Sequence, residues 1–140
     1  MKVIDIMTTD VQTCTMDTSL REIAGMMMGW DVGSIPVVEN GRLAGIITDR
    51  DLVIRGIAAD FGLDASVREI LSADLVTGRP DMDLEEAADL MAEHQIRRLP
   101  IVEGDKLLGI VSLGDVAVKD PSDMHAGAAI EDISKPAEPS

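Results

Sequence analysis

The sequence has very few of the residues that bind soft metals or act as thiol and imidazole nucleophiles. Among its 140 residues there are one cysteine and two histidines, and Cys14, His94 and His125 are far apart in the sequence. Such a set is too small for a zinc site or a Cys/His dyad, and a single cysteine cannot form an intramolecular disulfide. We therefore expect no catalytic activity of this kind, and nothing indicates an oxidising compartment.

Basic residues and long apolar segments are also scarce. Lys and Arg number 12 against 26 Asp and Glu, and the formal net charge of −14 disfavours binding to nucleic acids. The longest uncharged apolar stretch, residues 23–30, is far shorter than the roughly 20 residues that cross a bilayer. Acidic residues stand near the N-terminus, where a signal peptide has an apolar core. We therefore expect a cytoplasmic protein without a membrane span.

A repeat is the most informative feature that is present. When the chain is shifted by 64 residues, residues 3–53 align with residues 67–117 without a gap, and 16 of the 51 pairs are identical. Chance would give about three or four identities at ordinary residue frequencies. The sequence therefore predicts a tandem duplication, with a first copy at 1–62, a second copy at 63–120 and a tail at 121–140.

Each copy predicts a strand followed by an amphipathic helix. After a strand at 11–15, apolar residues recur at i, i+3, i+4 and i+7 from Leu20, and Ser19 with Glu22 has the spacing of a capping box. In the second copy the helix begins at Leu84, behind Asp83 and Glu86. We interpret the methionines at 26–28 as core residues of the first helix, the alternative being a flexible groove for a partner.

A hairpin and a second helix complete each copy. Residues 35–39 and 43–48 flank Asn40-Gly41, which tolerates the positive φ angles of a tight turn, and 99–103 and 107–112 flank Gly104-Asp105. Second helices are predicted at 49–59 and 113–119, and a short one at 128–133. The fold class is therefore α/β, with the order strand-helix-strand-strand-helix occurring twice. We predict a homodimer because the second helices carry apolar residues that one thin layer does not cover: Leu52, Val53, Ile57, Val116 and Ala117.

A hydroxyl and an acid three residues later follow each hairpin. They are Thr48 with Asp51 and Ser112 with Asp115. One interpretation is a capping box, in which the two side chains bond the first backbone amides of the helix. The other is a ligand site, because a helix N-terminus with a hydroxyl suits a phosphate and an acid can accept both hydroxyls of a ribose. The spacing agrees with both.

With these motifs the sequence resembles a pair of cystathionine-β-synthase (CBS) domains, also called a Bateman module. The resemblance covers about residues 3–119, and its most specific parts are the segments 35–39, 45–52 and 94–102. The chain is similar to small stand-alone CBS-pair proteins of bacteria and archaea, including hypoxic-response proteins. The resemblance implies two CBS motifs packed with pseudo-two-fold symmetry, two clefts between them and no catalysis. In many members these clefts hold AMP, ADP, ATP, NAD or S-adenosylmethionine, none of which is a required cofactor.

The resemblance also implies roles for individual residues. Asp51 and Asp115 match the ribose-binding acid of the family, and Thr48 and Ser112 match the hydroxyl that faces the phosphate. Arg98 matches a phosphate-binding arginine in the regulatory gamma subunit of AMP-activated protein kinase. Residues of the other copy would form the walls of each cleft: Gln12, Val32 and Gly33 for the Ser112/Asp115 cleft, and Val76 and Ile96 for the Thr48/Asp51 cleft.

The two clefts are expected to differ, because Ser34 occupies the place of Arg98 in the first copy. The chain has no tyrosine, one phenylalanine and one tryptophan, so aliphatic side chains and backbone amides would have to hold an adenine. Two functions remain open. One is a sensor of adenosine-containing ligands acting on an unknown downstream protein. The other is a ligand-free dimeric scaffold whose clefts stay empty. Separately, Arg97 and Arg98 with His94 could equally form a small solvated basic patch.

Overall fold

In the computed structural model, which describes residues 1–72 and 74–119, the chain divides into two compact units. The first-repeat unit is Gln12–Leu75, and the second-repeat unit combines Met1–Val11 with the chain from Val76 onward. The opening segment of each copy therefore belongs to the unit that the other copy mainly builds. The predicted copies at 1–62 and 63–120 describe the repeat in the sequence, whereas the compact units are divided at other points.

The first-repeat unit is a helix and a short helical turn on a three-stranded sheet. Its elements are β1 (Cys14–Thr15), α1 (Leu20–Trp30), β2 (Ser34–Glu39), β3 (Arg42–Thr48) and α2 (Asp49–Asp51). The sheet order is β1-β2-β3, with β1 parallel and β3 antiparallel to β2. The hairpin turns at Asn40 and Gly41, whose φ angles are 54° and 77°. This confirms the turn that the Asn-Gly pair predicts.

The helix predicted at 49–59 has a different internal geometry. Only Asp49–Asp51 is α-helical, and the chain continues as a π-helical turn over Leu52–Ile57. The Ala58 N–H accordingly donates to the carbonyl of Val53, five residues earlier. Gly56 is buried in this turn, and a Cβ there would lie 3.1 Å from Leu20 Cδ1, so the wider turn seats the backbone against α1.

The opening segment of the second copy completes the first-repeat unit. Ser19 caps α1, since its Oγ accepts from the Glu22 N–H at 3.1 Å, as predicted. The first two N–H groups of the helix, those of Leu20 and Arg21, donate to the carbonyls of Ala65 and Leu63. A single 3₁₀ turn at Val67–Glu69 then places Val67, which is completely buried, in the core. Leu63 and Ala65, which belong to the second copy by sequence, thus provide the carbonyls that accept from the first amides of α1.

The second-repeat unit has the same arrangement, and the N-terminal segment of the chain completes it. Its elements are α3 (Leu84–Glu93), β4 (Arg98–Glu103), β5 (Lys106–Ser112) and α4 (Leu113–Lys119). The first strand expected in this copy is reduced to one bridge between Gly78 and Ile101. A 3₁₀ turn at Val3–Asp5 inserts Val3 into the core, and the Val3 N–H donates to the carbonyl of Met82.

The predicted cap of α3 is wrong. Asp83 precedes the helix, but its side chain caps no backbone amide. The carboxylate instead accepts a hydrogen bond from Lys2 Nζ at 2.8 Å, and this bond lowers the pKa of Asp83. The Leu84 N–H donates to the carbonyl of Met1. The Met1 carbonyl therefore accepts from the first amide of α3 as the Ala65 carbonyl accepts from the first amide of α1.

Two further expectations need correction. Of the methionines predicted as core, Met27 is buried and Met26 is partly buried, whereas Met28 is 82% exposed. Val116, predicted on an outer face, is completely buried in the second-repeat core. The tail at 121–140, with the helix predicted at 128–133, lies outside the described residues. In the described part of the chain, no helix is long and apolar enough to cross a membrane.

Candidate ligand site

The first hydroxyl and acid pair lies where β3 passes into α2. The Asp51 N–H donates to Thr48 Oγ1 at 3.1 Å, and the Thr48 N–H donates to Asp51 Oδ2 at 2.9 Å. This is a reciprocal capping box. The other oxygen, Asp51 Oδ1, lies 3.7 Å from Nε of Arg55, one helical turn later. Both carboxylate oxygens of the partly buried Asp51 therefore have partners within their own unit.

The second pair lies at the equivalent place, where β5 passes into α4. The Asp115 N–H donates to Ser112 Oγ at 3.1 Å, so the serine caps its helix in the same way. The Leu113 N–H donates to the carbonyl of Arg97, which fixes the end of β5 against the start of β4. Asp115 is exposed, in contrast to the partly buried Asp51. The second acid is thus the one that faces solvent.

Arg98 is directly opposite the second hydroxyl in the sheet. Arg98 and Ser112 are paired across β4 and β5, and Ser34 and Thr48 are paired in the same register across β2 and β3. Directly paired residues have Cβ atoms about 4.5–5.5 Å apart. The second-repeat unit therefore brings together an exposed arginine, a hydroxyl and an exposed acid, and the first-repeat unit places a serine where the arginine would be.

The predicted wall residues fall into both units. Val32 packs against the first-repeat core, and the carbonyl of Gly33 accepts from the Asp49 N–H at 3.0 Å. Gln12 is exposed in the same unit. Val76 and Ile96 pack against the second-repeat core. Each predicted cleft therefore consists of a hydroxyl and an acid from one unit and wall residues from the other. That the two sets of residues form one site stays a prediction.

Two residues near the first pair were missed by the sequence reasoning. The Asp49 carboxylate lies beside Gly33, where a Cβ would be 3.2 Å from Asp49 Oδ2. Arg55 pairs with Asp51, and the i, i+4 spacing of these opposite charges was a signal that could have found it. In the described residues no group of three or more His, Cys, Asp or Glu side chains is placed to hold a metal ion.

Both interpretations of the two pairs are compatible with this geometry. Each hydroxyl acts as a helix cap, and each keeps its own O–H as a donor because it uses an oxygen lone pair to accept from the acid's amide. A capping hydroxyl can therefore still donate to a phosphate oxygen. The arginine is what distinguishes the second pair from an ordinary cap.

Comparisons with known proteins agree on one family. The model of the CBS domain family matches residues 3–56 and 67–120. The CBS domain-containing protein YhcV of Bacillus subtilis is 48% identical over 130 residues, which cover 93% of each chain. The crystal structure of Hypoxic Response Protein I with two coordinated zinc ions superposes with a TM-score of 0.78 at 31% identity, covering 85% of this chain and 98% of that one. The structure of CBSX2 in complex with AMP has a TM-score of 0.76 at 26% identity and covers 86% and 97%.

Proposed function

The chain belongs to the CBS domain family, and on this premise we propose that it is a regulatory module that binds an adenosine-containing ligand. The candidate ligands are AMP, ADP, ATP, NAD and S-adenosylmethionine. The observation that carries the proposal is the juxtaposition of Arg98, Ser112 and the exposed Asp115. The AMP held by the similar protein CBSX2 supports this choice of ligand class.

Each polar residue receives one role in this proposal. The Asp115 carboxylate accepts from the two ribose hydroxyls, the Ser112 hydroxyl donates to the phosphate, and Arg98 forms a charge-assisted hydrogen bond with it. Gln12, Val32 and Gly33 contribute the wall. In the other cleft Asp51 and Thr48 have the corresponding roles, with Val76 and Ile96 as the wall.

The two clefts are proposed to be unequal. A net charge of −14 repels anionic nucleotides at long range, so close contacts have to supply the attraction for phosphate. Arg98 provides such a contact, and Ser34 at the equivalent place does not. The Asp51 carboxylate already accepts from the Thr48 N–H and lies 3.7 Å from Arg55, so it has less free acceptor capacity for a ribose. Phosphorylated ligands should therefore prefer the Ser112/Asp115 cleft.

The module is proposed to act without catalysis, as a homodimer in the cytoplasm. A ligand changes the population of two conformations only if it binds one of them better. The output is therefore a change in shape or in affinity for a downstream protein. The side chains of Val53 and Ile57 are apolar and exposed in the segment predicted as the second helix of the first copy, and they support self-association.

Thermal melting tests the ligand class. At 100 times its dissociation constant a ligand that binds the folded state stabilises it by about 2.7 kcal/mol. We expect a higher melting temperature with one or more of AMP, ATP, NAD and S-adenosylmethionine. If none of the four raises it, the sensor function is wrong and the ligand-free scaffold replaces it.

Calorimetry on matched variants tests the assignment of the clefts. Asparagine can keep one hydrogen bond of a cap, so Asp51→Asn and Asp115→Asn disturb the fold less than alanine does. We expect the larger loss of AMP affinity in Asp115→Asn, and the reverse order would contradict the assignment.

Arg98→Ala tests the phosphate contact separately. A hydrogen bond to a charged group contributes about 1.5–3 kcal/mol, which is roughly 10- to 150-fold in affinity. AMP should lose that affinity, whereas adenosine should keep its own because it has no phosphate. An equal loss for both ligands would mean that Arg98 supports the fold.

A further inference from the structure

The turn of the first hairpin contains an exposed asparagine followed by glycine. Asn40 and Gly41 connect β2 to β3, and both residues are exposed, with positive φ angles of 54° and 77°. Asn40 is the only asparagine of the 140 residues, and no aspartate of the chain precedes a glycine. The chemistry of an Asn-Gly pair is therefore confined to this one turn.

Neither reactive group of the pair is held by a neighbour. Among the described residues, no group accepts a hydrogen bond from the Gly41 N–H, and none binds the side-chain amide of Asn40. A Cβ placed on Gly41 would meet nothing within 4 Å. A recess of about 450 Å³ lies beside the turn and is lined by Glu39, Asn40, Arg42, Leu43 and Ala44. The Gly41 nitrogen and the side-chain carbonyl carbon of Asn40 can therefore approach each other when the turn fluctuates, without displacing a packed group.

The residue before the turn holds the opening segment of the second copy. Glu39 Oε1 accepts a hydrogen bond from Arg68 Nη2 at 2.8 Å, and Asp17 Oδ1 lies 3.5 Å from the same nitrogen. Arg68 belongs to the 3₁₀ turn Val67–Glu69, whose first residue is completely buried in the first-repeat core. Because Glu39 directly precedes Asn40, a change in the backbone at Asn40 acts on a contact of this segment.

The second hairpin has a different pair at this place. The pair Gly104-Asp105 is equivalent to Asn40-Gly41 in the repeat, so the second turn has no side-chain amide. Ile4 occupies the position that is equivalent to Arg68. The reactive pair and the arginine held beside it are therefore features of the first-repeat unit and not of the second-repeat unit.

We propose that Asn40 is a site of spontaneous covalent modification, which loosens the contact between the first hairpin and Arg68. The Gly41 nitrogen loses its proton and attacks the side-chain carbonyl carbon of Asn40, and the side-chain nitrogen leaves as ammonia, which closes a succinimide ring. Water then opens the ring at either carbonyl and gives aspartate or isoaspartate. One water is consumed, one ammonia is released and nothing is oxidised or reduced. The modification does not depend on whether any ligand binds.

The two products differ in their backbone. Aspartate keeps the ordinary chain and tolerates the positive φ of a tight turn as asparagine does. Isoaspartate continues the chain through its side-chain carbonyl, so one methylene group is inserted into the turn. A two-residue turn has to match the twist and the register of its strands, so the longer turn displaces Glu39 from Arg68. Arg68 then keeps only its longer contact with Asp17.

Incubation of the full chain at physiological pH and temperature tests the modification. Deamidation raises the mass of the tryptic peptide 22–42 by the difference between a hydroxyl and an amino group, and reversed-phase chromatography separates its two products. Local opening of a loop has a free-energy cost near zero, so the folded chain should react within about 10-fold of the rate of the urea-unfolded chain. A reaction that waits for global unfolding is slower by roughly 10³-fold or more. Such slowing, or no reaction in the folded chain, would overturn the proposal.

Matched variants test the dependence on the Asn-Gly pair. Asn40→Gly keeps a pair that suits the turn but has no amide, so its peptide should keep its mass. Combining Asn40→Gly with Gly104→Asn places an asparagine before Asp105 in the equivalent turn. A side chain on the following residue hinders the attack of its nitrogen, so this double variant should react about 10-fold more slowly than the wild type or less. An equal rate in the double variant would contradict the role of Gly41.

Hydrogen exchange on the aged protein tests the effect on Arg68. The Arg68 N–H donates to the carbonyl of Met16, so its exchange reports on the opening segment of the second copy. Anion exchange separates the deamidated fraction by its additional negative charge, and Asn40→Asp is a pure reference for the aspartate product. Loss of a half-exposed ion pair should accelerate this amide about 2- to 5-fold in the isoaspartate product and in Glu39→Gln, but not in Asn40→Asp. A wild-type rate in the isoaspartate product would mean that the modification does not reach Arg68, and the proposal would be wrong.

Discussion

The opening segment of each copy belongs to the unit that the other copy mainly builds, and Val3 and Val67 allow this exchange of opening segments to be tested directly. They are equivalent in the repeat, and both side chains are completely buried. Val3 belongs to the core of the second-repeat unit, and Val67 belongs to the core of the first-repeat unit. Val3→Ala should therefore destabilise the later part of the chain, and Val67→Ala the earlier part.

The expected magnitude follows from the buried volume. Replacing valine with alanine removes the two γ carbons from a fully buried side chain, which costs about 1.6 kcal/mol in transfer free energy. A cavity that the neighbours fill only partly adds up to about 1 kcal/mol. We expect each substitution to lower the opening free energy of its unit by about 2–2.5 kcal/mol, which corresponds to roughly 30- to 70-fold faster amide hydrogen exchange.

Residue-resolved hydrogen exchange is the assay. In Val3→Ala the amides of α3, β4 and β5 should exchange faster, while those of α1, β2 and β3 keep their wild-type rates. Val67→Ala should give the opposite pattern. If Val3→Ala loosened α1 and the first hairpin, or if both variants accelerated both units equally, the assignment of the segments to separate cores would be refuted.

Three further predictions concern single contacts. Thr48→Ala should lower the free energy of unfolding by about 1 kcal/mol in urea denaturation, because the cap of α2 is lost, whereas Thr48→Ser should not; equal stability of all three proteins would rule out the cap. Lys2 lowers the pKa of Asp83, so the pair stabilises the fold above the ordinary aspartate pKa of about 3.9, and this stability is lost as pH falls through the lowered value. Lys2→Gln should accordingly have a lower melting temperature than the wild type at neutral pH, and the difference should shrink as the pH falls below the ordinary aspartate value; a difference that does not change with pH would contradict this. Burial raises the pKa of the Cys14 thiol to about 11, so at about pH 8 a thiol reagent should label it only as fast as the unit opens; labelling at the rate of the unfolded chain would contradict its burial.

Local features of the fold could be predicted from the sequence because they depend on adjacent residues. The turn at Asn40-Gly41 requires positive φ angles that these two residues tolerate, and the cap at Ser19 requires an amide three residues later. The hydroxyl and acid pairs could be found for the same reason. Arg98 was named from the family resemblance and Ser34 from the repeat, and the hairpin register of the structure pairs each of them with its hydroxyl residue.

Features that depend on distant segments could not be predicted in this way. Asp83 has the right spacing for a cap, but Lys2, 81 residues away, binds its carboxylate. The π-helical turn arises where Gly56 meets Leu20, which belongs to another helix. Val116 is apolar in a short helix, and periodicity alone did not show that it faces the core rather than solvent. Local patterns contain no information about which distant segment completes a unit.

The exchange of opening segments also determines the order in which the chain can fold during its synthesis. Gln12–Leu75 is continuous, so the first-repeat unit can form as soon as that segment has left the ribosome. Met1–Val11 is made earlier, but its partners in α3, β4 and β5 are made only after the first-repeat unit. Throughout that interval Val3, Ile6 and Met7 have no core to enter, although all three pack in the finished protein. These three residues are therefore made before the first-repeat unit but become native after it, and a nascent-chain chaperone that binds apolar segments can bind them during that interval.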